Sequence, residues 1–199
     1  MRDRLSIDPA RERIDLSLYL VTDRALCGSR GVPAVVADAV AGGVTAVQLR
    51  DKHASDADLL DQLEHLAAVI AGRAALIVND RIDVAVAARA RGIRVDGVHL
   101  GQSDAAVTAA RAALGPSAIV GLTANTAEQL AAVARMPHGT VDYVGVGVIR
   151  PTTTKPDHPP ALGIDGFAAL AAASPVPCVA IGGIRETDAR VLREAGAAG

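Results

Sequence analysis

Short apolar runs recur along the chain, and each is followed by polar or glycine-containing residues and then by a segment with helical spacing of its apolar positions. Runs of this length and composition predict strands that are buried on both faces. The predicted strands cover residues 18–22, 45–49, 75–78, 97–100, 118–122, 143–149 and 177–181. The predicted helices cover residues 33–41, 56–71, 81–91, 104–114, 126–135, 164–172 and 187–195. Ser55, Asp104, Thr126 and Thr187 stand where helix N-caps are expected.

The alternation of strands and helices predicts βαβ units and a parallel sheet. The number of units favours a closed barrel over a doubly wound sheet, and residues 22–29, after the first strand, lack the glycine fingerprint of dinucleotide-binding sheets. We therefore expect an α/β protein with a (β/α)8 TIM barrel. Because the sequence ends before an eighth strand and its helix, we expect the barrel to be C-terminally truncated in this chain. Residues 1–16 are predicted to form a flexible leader, and residues 17–199 the single barrel domain.

The amino-acid composition limits the classes of function that we expect for this protein. Half of the 199 residues are hydrophobic, but the aromatic residues are only two Tyr and one Phe, as suits a parallel sheet covered by alanine-rich helices. A formal net charge of −2 gives no basic field, so we expect no nucleic-acid partner. Cys27 and Cys178 are too few for a disulfide framework or a zinc cage. With no long apolar segment and no signal-like N-terminus, we expect a cytoplasmic protein without a membrane partner. The oligomeric state is open, a homo-oligomer included.

In a barrel the chemistry collects at the C-terminal ends of the strands, and in this sequence those ends are polar. Gln48, Arg50 and Lys52 alternate after the second strand, so they share one side and form a cluster suited to a diphosphate. The alternative is a solvated, charged strand end. Asp80 and Asp104 follow the third and fourth strands, where two carboxylates facing a basic cluster predict a Mg²⁺ site completed by phosphate oxygens. Helix capping is the alternative for each carboxylate.

A second anion site is predicted across the barrel. The sixth strand opens into residues 152–155, three threonines and a lysine, which offer hydroxyls and a cation to an anion. The seventh strand ends in Gly182 and Gly183, whose missing side chains let backbone N–H groups approach a phosphate. Two anion sites predict two phosphorylated substrates, or one substrate phosphorylated at both ends. His99, at the end of the fourth strand, is either functional or a structural residue.

Five segments together resemble thiamine phosphate synthase, and they occur in order at successive strand ends: Gln-Leu-Arg-Asp-Lys at 48–52, Asn-Asp-Arg at 79–81, His-Leu-Gly-Gln-Ser-Asp at 99–104, Pro-Thr-Thr-Thr-Lys at 151–155 and Ile-Gly-Gly-Ile at 181–184. The resemblance runs from residue 18 to the end of the sequence. It implies an enzyme that joins a hydroxymethylpyrimidine diphosphate to a thiazole phosphate with Mg²⁺ as cofactor. In this family the diphosphate leaves first, and the thiazole nitrogen then attacks the resulting cation.

The resemblance also implies a role for each matched residue. The pyrimidine diphosphate would be bound by Gln48, Leu49, Arg50, Asp51, Lys52, Asn79, Thr123 and Lys155. The thiazole phosphate would be bound by Thr152, Thr153, Thr154, Gly182 and Gly183. Mg²⁺ would be held by Asp80 and Asp104. The charge that develops on the leaving diphosphate would be stabilised by Arg50, Lys52 and Lys155.

Several positions depart from the family pattern. Thr123 and Asn125 stand where the family usually has Ser and, two residues on, His; Thr123 keeps the hydroxyl, whereas Asn125 removes the imidazole. Arg150 replaces an aromatic residue before Pro151 and has no explanation from the sequence. Two alternatives are a thiazole tautomerase of the same fold and a non-catalytic sensor of thiazole or thiamine phosphate. The diphosphate cluster, the two carboxylates, Lys155 and the Asn at 125 argue against the tautomerase, and the two carboxylates argue against the sensor.

Overall fold

A computed structural model of the chain describes residues 14–102, 104–152, 154 and 160–199, with the backbone alone for residues 104 and 105. Its strands form one parallel sheet in chain order, so each strand pairs with its neighbours in sequence. The strands are β1 Tyr19–Val21, β2 Ala46–Leu49, β3 Ala75–Asn79, β4 Gly97–Leu100, β5 Ile119–Thr123, β6 Tyr143–Gly147 and β7 Cys178–Ile181. This order of parallel pairs, with helical crossovers, confirms the predicted (β/α) barrel.

The helices of the described residues connect the strands on the outside. They are α1 Arg24–Cys27, α2 Gly31–Ala41, α3 Asp56–Ile70, α4 Ile82–Ala90, α5 Asp104–Leu114, α6 Ala127–Arg135, α7 Gly163–Ala173 and α8 Ala189–Glu194. Ser55 and Thr126 cap α3 and α6 through capping boxes, as predicted. The predicted helix at 187–195 is divided into a 3₁₀ turn, Glu186–Asp188, and α8. None of the helices described is both long enough and apolar enough to cross a membrane.

Two apolar layers hold the barrel together. The outer layer lies between the sheet and the helices and includes the fully buried Val36, Leu63 and Phe167. The inner layer fills the barrel itself and consists of Leu16, Ile77, Ile119, Tyr143 and Val179. Leu16 is only 5% exposed, so the packed barrel begins before residue 17. Residues 1–13 of the predicted leader lie outside the described residues.

The last residues of the chain enter the position of an eighth strand. The Ala198 N–H donates to the Cys178 carbonyl at 2.8 Å, and the Ala180 N–H donates to the Gly199 carbonyl at 2.9 Å. These bonds continue the parallel ladder beyond β7. On its other side, Gly199 lies so close to the Leu16 carbonyl that a Cβ would be 1.6 Å from that oxygen. The sequence pattern placed no strand here, because an Ala-Gly run has no apolar periodicity.

Candidate active site

A cavity of about 460 Å³ opens at the C-terminal ends of the strands. Its wall brings together residues from both predicted anion sites: Gln48, Arg50, Asn79, Thr123, Thr152, Thr154, Gly182 and Gly183. These residues come from strand ends that are far apart in sequence but meet at one rim, because all strands are parallel. The barrel therefore places the two predicted sites in one cavity.

Alternate residues at the end of β2 line the cavity wall. Gln48 is buried and Arg50 half-buried, and both line the cavity. The Arg50 N–H donates to the Thr22 hydroxyl at 3.0 Å, which fixes the backbone just after the strand. The Leu49 side chain is buried in the outer apolar layer, so a part in ligand binding would rest on its backbone. Lys52 is exposed and lies outside the cavity wall.

Asp51 faces away from the cavity wall. Its Oδ1 accepts from the His53 N–H at 3.2 Å, and its Oδ2 lies 3.9 Å from the Arg24 guanidinium. The Asp51 side chain is 10% exposed, and its Oδ2 has no hydrogen-bond donor among the described residues. The contacts of Asp51 therefore join the β2 end to α1.

Asp80 is exposed at the end of β3, and its carboxylate contacts the neighbouring strand end. Its Oδ1 accepts from the Gly101 N–H at 3.0 Å, and its Oδ2 accepts from the Asn79 amide at 2.7 Å. The N-cap of α4 is Arg81, without a side-chain cap, so helix capping does not explain Asp80. Asp80 also has a φ of 61°, in the left-handed region, which Asp and Asn adopt more readily than other non-glycine residues. Non-glycine residues in this region are found preferentially at functional sites.

The donor set at this edge fits Mg²⁺, which prefers hard oxygen ligands. Asp80 offers a carboxylate at the end of β3, and Asp104 is the first residue of α5, which follows β4. The side chain of Asp104 lies outside the described part of the structure. Among the described residues, no group of three or more His, Cys, Asp or Glu side chains could hold a metal ion by itself.

The second predicted anion site lies at the ends of β6 and β7. The hydroxyls of Thr152 and Thr154 share a hydrogen bond of 2.8 Å. Gly182 and Gly183 follow β7 with φ values of 89° and 67°, and the Gly182 carbonyl accepts from the Arg150 N–H at 3.0 Å. These backbone angles favour glycine. Thr153 and Lys155 lie outside the described residues, so their roles stay predictions.

A chain of hydrogen-bonded polar side chains crosses the barrel interior, and four of its members, Tyr19, Gln48, His99 and Thr123, line the cavity. The Gln48 amide donates to the Tyr19 hydroxyl at 3.0 Å, and the Tyr19 and Tyr143 hydroxyls share a hydrogen bond of 2.6 Å. His99 then bonds with both of its ring nitrogens: Nδ1 lies 3.0 Å from the Tyr143 hydroxyl, and Nε2 lies 3.1 Å from the Thr123 hydroxyl. His99 therefore links the barrel interior to a predicted pyrimidine-binding residue.

Glycines on neighbouring strands make room for these rings. A Cβ on Gly121 would lie 2.2 Å from the ring of Tyr143, and a Cβ on Gly145 would lie 3.1 Å from the ring of His99. The sequence reading missed this interior network. The available signal was the glycine inside each of two predicted strands, which often marks a close approach.

The hydrogen-bonded network should alter the ionisation of its two tyrosines at alkaline pH. Burial raises the pKa of Tyr19 from 10.0 to about 12, and burial, followed by the charge of Tyr19, raises the pKa of Tyr143 well above 10.0. Because their pKa values are raised in the folded state, the two neutral tyrosines contribute to stability fully at any pH below the pKa of the unfolded chain, near 10. This contribution is lost as pH rises through the pKa values of the folded state. We expect neither tyrosine to ionise near pH 10 in the folded protein.

Tyrosinate absorbance can test this directly, because the chain has two Tyr and no Trp. The folded protein should titrate only towards pH 12 or on unfolding, whereas the urea-unfolded chain should titrate near 10. The single variants Tyr19→Phe and Tyr143→Phe serve to assign the signal. A full tyrosinate signal at pH 10 from protein that is still folded by circular dichroism would contradict the buried network.

Asn125 has a structural explanation that the sequence did not provide. Its Oδ1 accepts from the Gly147 N–H at 3.0 Å, and its own N–H donates to the Gln129 side chain at 2.6 Å. Asn125 therefore ties the end of β5 to the end of β6 while lining the cavity.

The fold and the position of the cavity define a (β/α)-barrel protein whose candidate active site is built from the C-terminal strand ends, the arrangement of barrel enzymes. A family model described as thiamine monophosphate synthase matches residues 18–199. The chain belongs to this family, which confirms the resemblance seen in its strand-end motifs.

Similar proteins agree with this assignment. A thiamine-phosphate synthase of Azorhizobium caulinodans is 48% identical over 186 residues, which cover 93% of this chain and 84% of the relative. A thiamine-phosphate synthase of a Psychrobacter species is 45% identical over 184 residues, 92% of this chain and 84% of the relative. The structure of thiamine phosphate pyrophosphorylase from Pyrococcus furiosus aligns with a TM-score of 0.77 and 30% identity over 94% of this chain and 85% of that chain. Membership in this family makes the protein an enzyme of thiamine biosynthesis and, in general terms, a transferase.

Proposed function

We propose that the protein couples 4-amino-2-methyl-5-(diphosphooxymethyl)pyrimidine with 4-methyl-5-(2-phosphooxyethyl)thiazole to form thiamine phosphate and diphosphate. The observation that carries this proposal is the shared cavity. Gln48, Arg50 and Asn79 line one part of its wall, and Thr152 with the Gly182–Gly183 turn lines another. One cavity with two anion-binding groups suits two phosphorylated substrates that must meet.

The reaction divides into two bond changes. The bond from the pyrimidine methylene to the diphosphate oxygen breaks, and the diphosphate leaves with the electron pair. The thiazole nitrogen then donates its lone pair to the methylene cation and forms the new carbon–nitrogen bond. No side chain has to serve as nucleophile or base. The requirement is charge stabilisation on the leaving group, which Arg50 in the cavity wall and Lys155 would provide. Lys52, which lies outside the wall, would have to turn towards the bound diphosphate to share this role.

Asp80, Asp104 and Asn79 belong to the same part of the proposed site. Asp80 and Asp104 would hold Mg²⁺, and the ion would supply positive charge to the diphosphate oxygens. Asn79 donates to Asp80 at 2.7 Å and so orients the carboxylate towards the neighbouring strand end.

The pyrimidine ring would be received by the interior network. Thr123 and Gln48 line the cavity and are held by hydrogen bonds to two half-buried neighbours, His99 and Tyr19, which line it as well. Side chains fixed in this way orient a substrate with little loss of entropy on binding. Tyr19 and His99 would therefore help to position the pyrimidine substrate in the proposed reaction.

The test is diphosphate release from the protein mixed with both phosphorylated substrates and Mg²⁺. We expect release only when both substrates are present, together with thiamine phosphate in equal amount. Isomerisation of the thiazole substrate alone would favour the tautomerase. Binding of thiazole phosphate by folded protein without any turnover would favour the sensor. Either result would overturn the proposal.

Lys155 allows a separate test of the leaving-group role. Lys155→Ala should lower kcat by roughly 100-fold, the range for loss of one transition-state charge contact, with a smaller change in the KM for thiazole phosphate. Single-turnover and steady-state kinetics measure the two effects. The exposed Arg190, on α8, gives the control variant Arg190→Ala. A changed thiazole affinity with normal kcat would remove Lys155 from this role.

A further inference from the structure

Arg150, which the sequence left unexplained, makes a two-point ion pair with Asp188. Its Nε donates to Asp188 Oδ2 at 3.2 Å, and its Nη2 donates to Asp188 Oδ1 at 2.6 Å. The Asp188 side chain is 8% exposed and that of Arg150 is 39% exposed. Paired, nearly parallel hydrogen bonds of this kind fix the relative position of both groups.

The pair closes a short loop that contains the predicted phosphate turn. At one end of the loop, the Gly182 carbonyl accepts the N–H groups of Ile149 and Arg150 at 3.1 and 3.0 Å. At the other end, Asp188 holds the Arg150 guanidinium and also accepts the Arg185 N–H at 3.0 Å. The segment 182–188 is therefore attached at both ends to the residues that follow β6.

Gly183 lies directly against Arg150. A Cβ on Gly183 would lie 2.8 Å from both the Cβ and the carbonyl oxygen of Arg150. The Gly182–Gly183 turn therefore packs directly on the Arg150 backbone, and a shift of Arg150 would move the turn.

The ion pair shifts the pKa values of both of its side chains. Its guanidinium holds the pKa of the Asp188 carboxyl below its usual range, and Asp188 in turn raises the pKa of Arg150. The carboxylate of Asp188 has a low exposure and would be costly to leave without this partner. The charge of Arg150 is thus balanced by Asp188, so a direct contact with substrate phosphate would compete with an existing pair.

We propose that Arg150 is a positioning residue: its pair with Asp188 holds the Gly182–Gly183 turn in the shape that receives the phosphate of the thiazole substrate. The identity of that ligand rests on the proposed function. The pair replaces the aromatic residue usual in the family with a polar link between the β6 and β7 ends. Fixing the turn before binding reduces the ordering cost of binding.

The first arm of the test is independent of activity. Hydrogen exchange of the amides in 182–188 should be faster in Arg150→Met, which keeps the apolar stem, and in Asp188→Asn. The exposed Arg190, whose carboxylate partner Glu194 is 3.8 Å away on the surface, gives the matched control Arg190→Met with unchanged exchange. Unchanged exchange in Arg150→Met would overturn the proposal, whatever the protein is found to catalyse.

The second arm uses the coupling reaction. Arg150→Met and Asp188→Asn should each raise the KM for thiazole phosphate about tenfold and leave the KM for the pyrimidine diphosphate within about twofold. The double variant should be no worse than either single variant, because both remove the same link. Two results would overturn the positioning role: unchanged KM values despite faster exchange, or a lower KM in Asp188→Asn, which would indicate a direct phosphate contact by the released Arg150. Absence of turnover in the wild-type protein would instead count against the proposed function.

Discussion

Asp80→Ala is expected to lower Mg²⁺-dependent diphosphate release by about a thousandfold or more while the barrel stays folded. Several kcal/mol of charge stabilisation on the leaving group would be lost with the metal ligand. Asp80 is exposed and does not cap α4, and the described hydrogen bonds of its side chain are only those with the rim groups Asn79 and Gly101. Its removal should therefore leave the apolar layers intact. Asp104→Ala should give the same loss.

Two further variants separate the effect of the Asp80 charge from that of the backbone conformation at this position. Asp80→Asn keeps a side chain that tolerates the left-handed φ of 61° and removes only the charge, so it should show the same loss. Asp83→Ala removes a nearby exposed carboxylate that bonds to Arg81, and it should keep near-normal activity. The measurements are diphosphate release over a Mg²⁺ titration and far-UV circular dichroism. Wild-type rates in Asp80→Ala would refute the metal assignment.

Gly182→Ala is expected to damage both stability and substrate binding. Gly182 has a φ of 89°, and a Cβ there would lie 2.4 Å from Val148 Cγ1 and 2.8 Å from its Cα. The unfavourable backbone angle and the overpacking together should lower the free energy of unfolding by roughly 2–5 kcal/mol. The turn would also shift, so the KM for thiazole phosphate should rise more than the KM for the pyrimidine diphosphate.

Gly139→Ala provides the control for the backbone contribution. Gly139 has a similar φ of 78°, but a Cβ there would meet no atom within 4 Å. It should lose only roughly 1–2 kcal/mol and keep both KM values. Urea unfolding followed by circular dichroism, with steady-state kinetics, measures both variants. Equal losses of stability in the two variants would show that the contact with Val148 has no effect.

Much of the fold could be predicted because its signals are local. Each strand is a short apolar run, each helix has its own apolar period, and Ser55 and Thr126 cap the helices that follow them. The rule that parallel neighbours follow in order then gives the barrel, and the barrel places every strand end at one rim. Gln48, Arg50 and Asn79 could thus be placed at the same rim as the Gly182–Gly183 turn from the sequence alone, as parts of two predicted anion sites. Only the structure joins them in one cavity.

Some contacts at the rim depend on side-chain direction and distance through space. The segment 48–52 is one continuous motif in the sequence, but its side chains do not all face the cavity. Leu49 packs under the helices and Asp51 contacts Arg24, because alternate residues of a strand face opposite sides. Arg150 and Asp188 are 38 residues apart, and neither local sequence indicates the other.

The sequence by itself determined the order of elements and the chemical groups at the strand ends, since both depend on local periodicity and a simple topological rule. Only the tertiary structure decided how the interior is filled. The hydroxyls of Tyr19 on β1 and Tyr143 on β6 meet at 2.6 Å although they are 124 residues apart in the sequence, and the Tyr143 ring fits only because residue 121 on the adjacent strand is glycine. Such contacts are set by the closure of the barrel, which brings distant strands together and leaves each ring the space that its neighbours do not occupy.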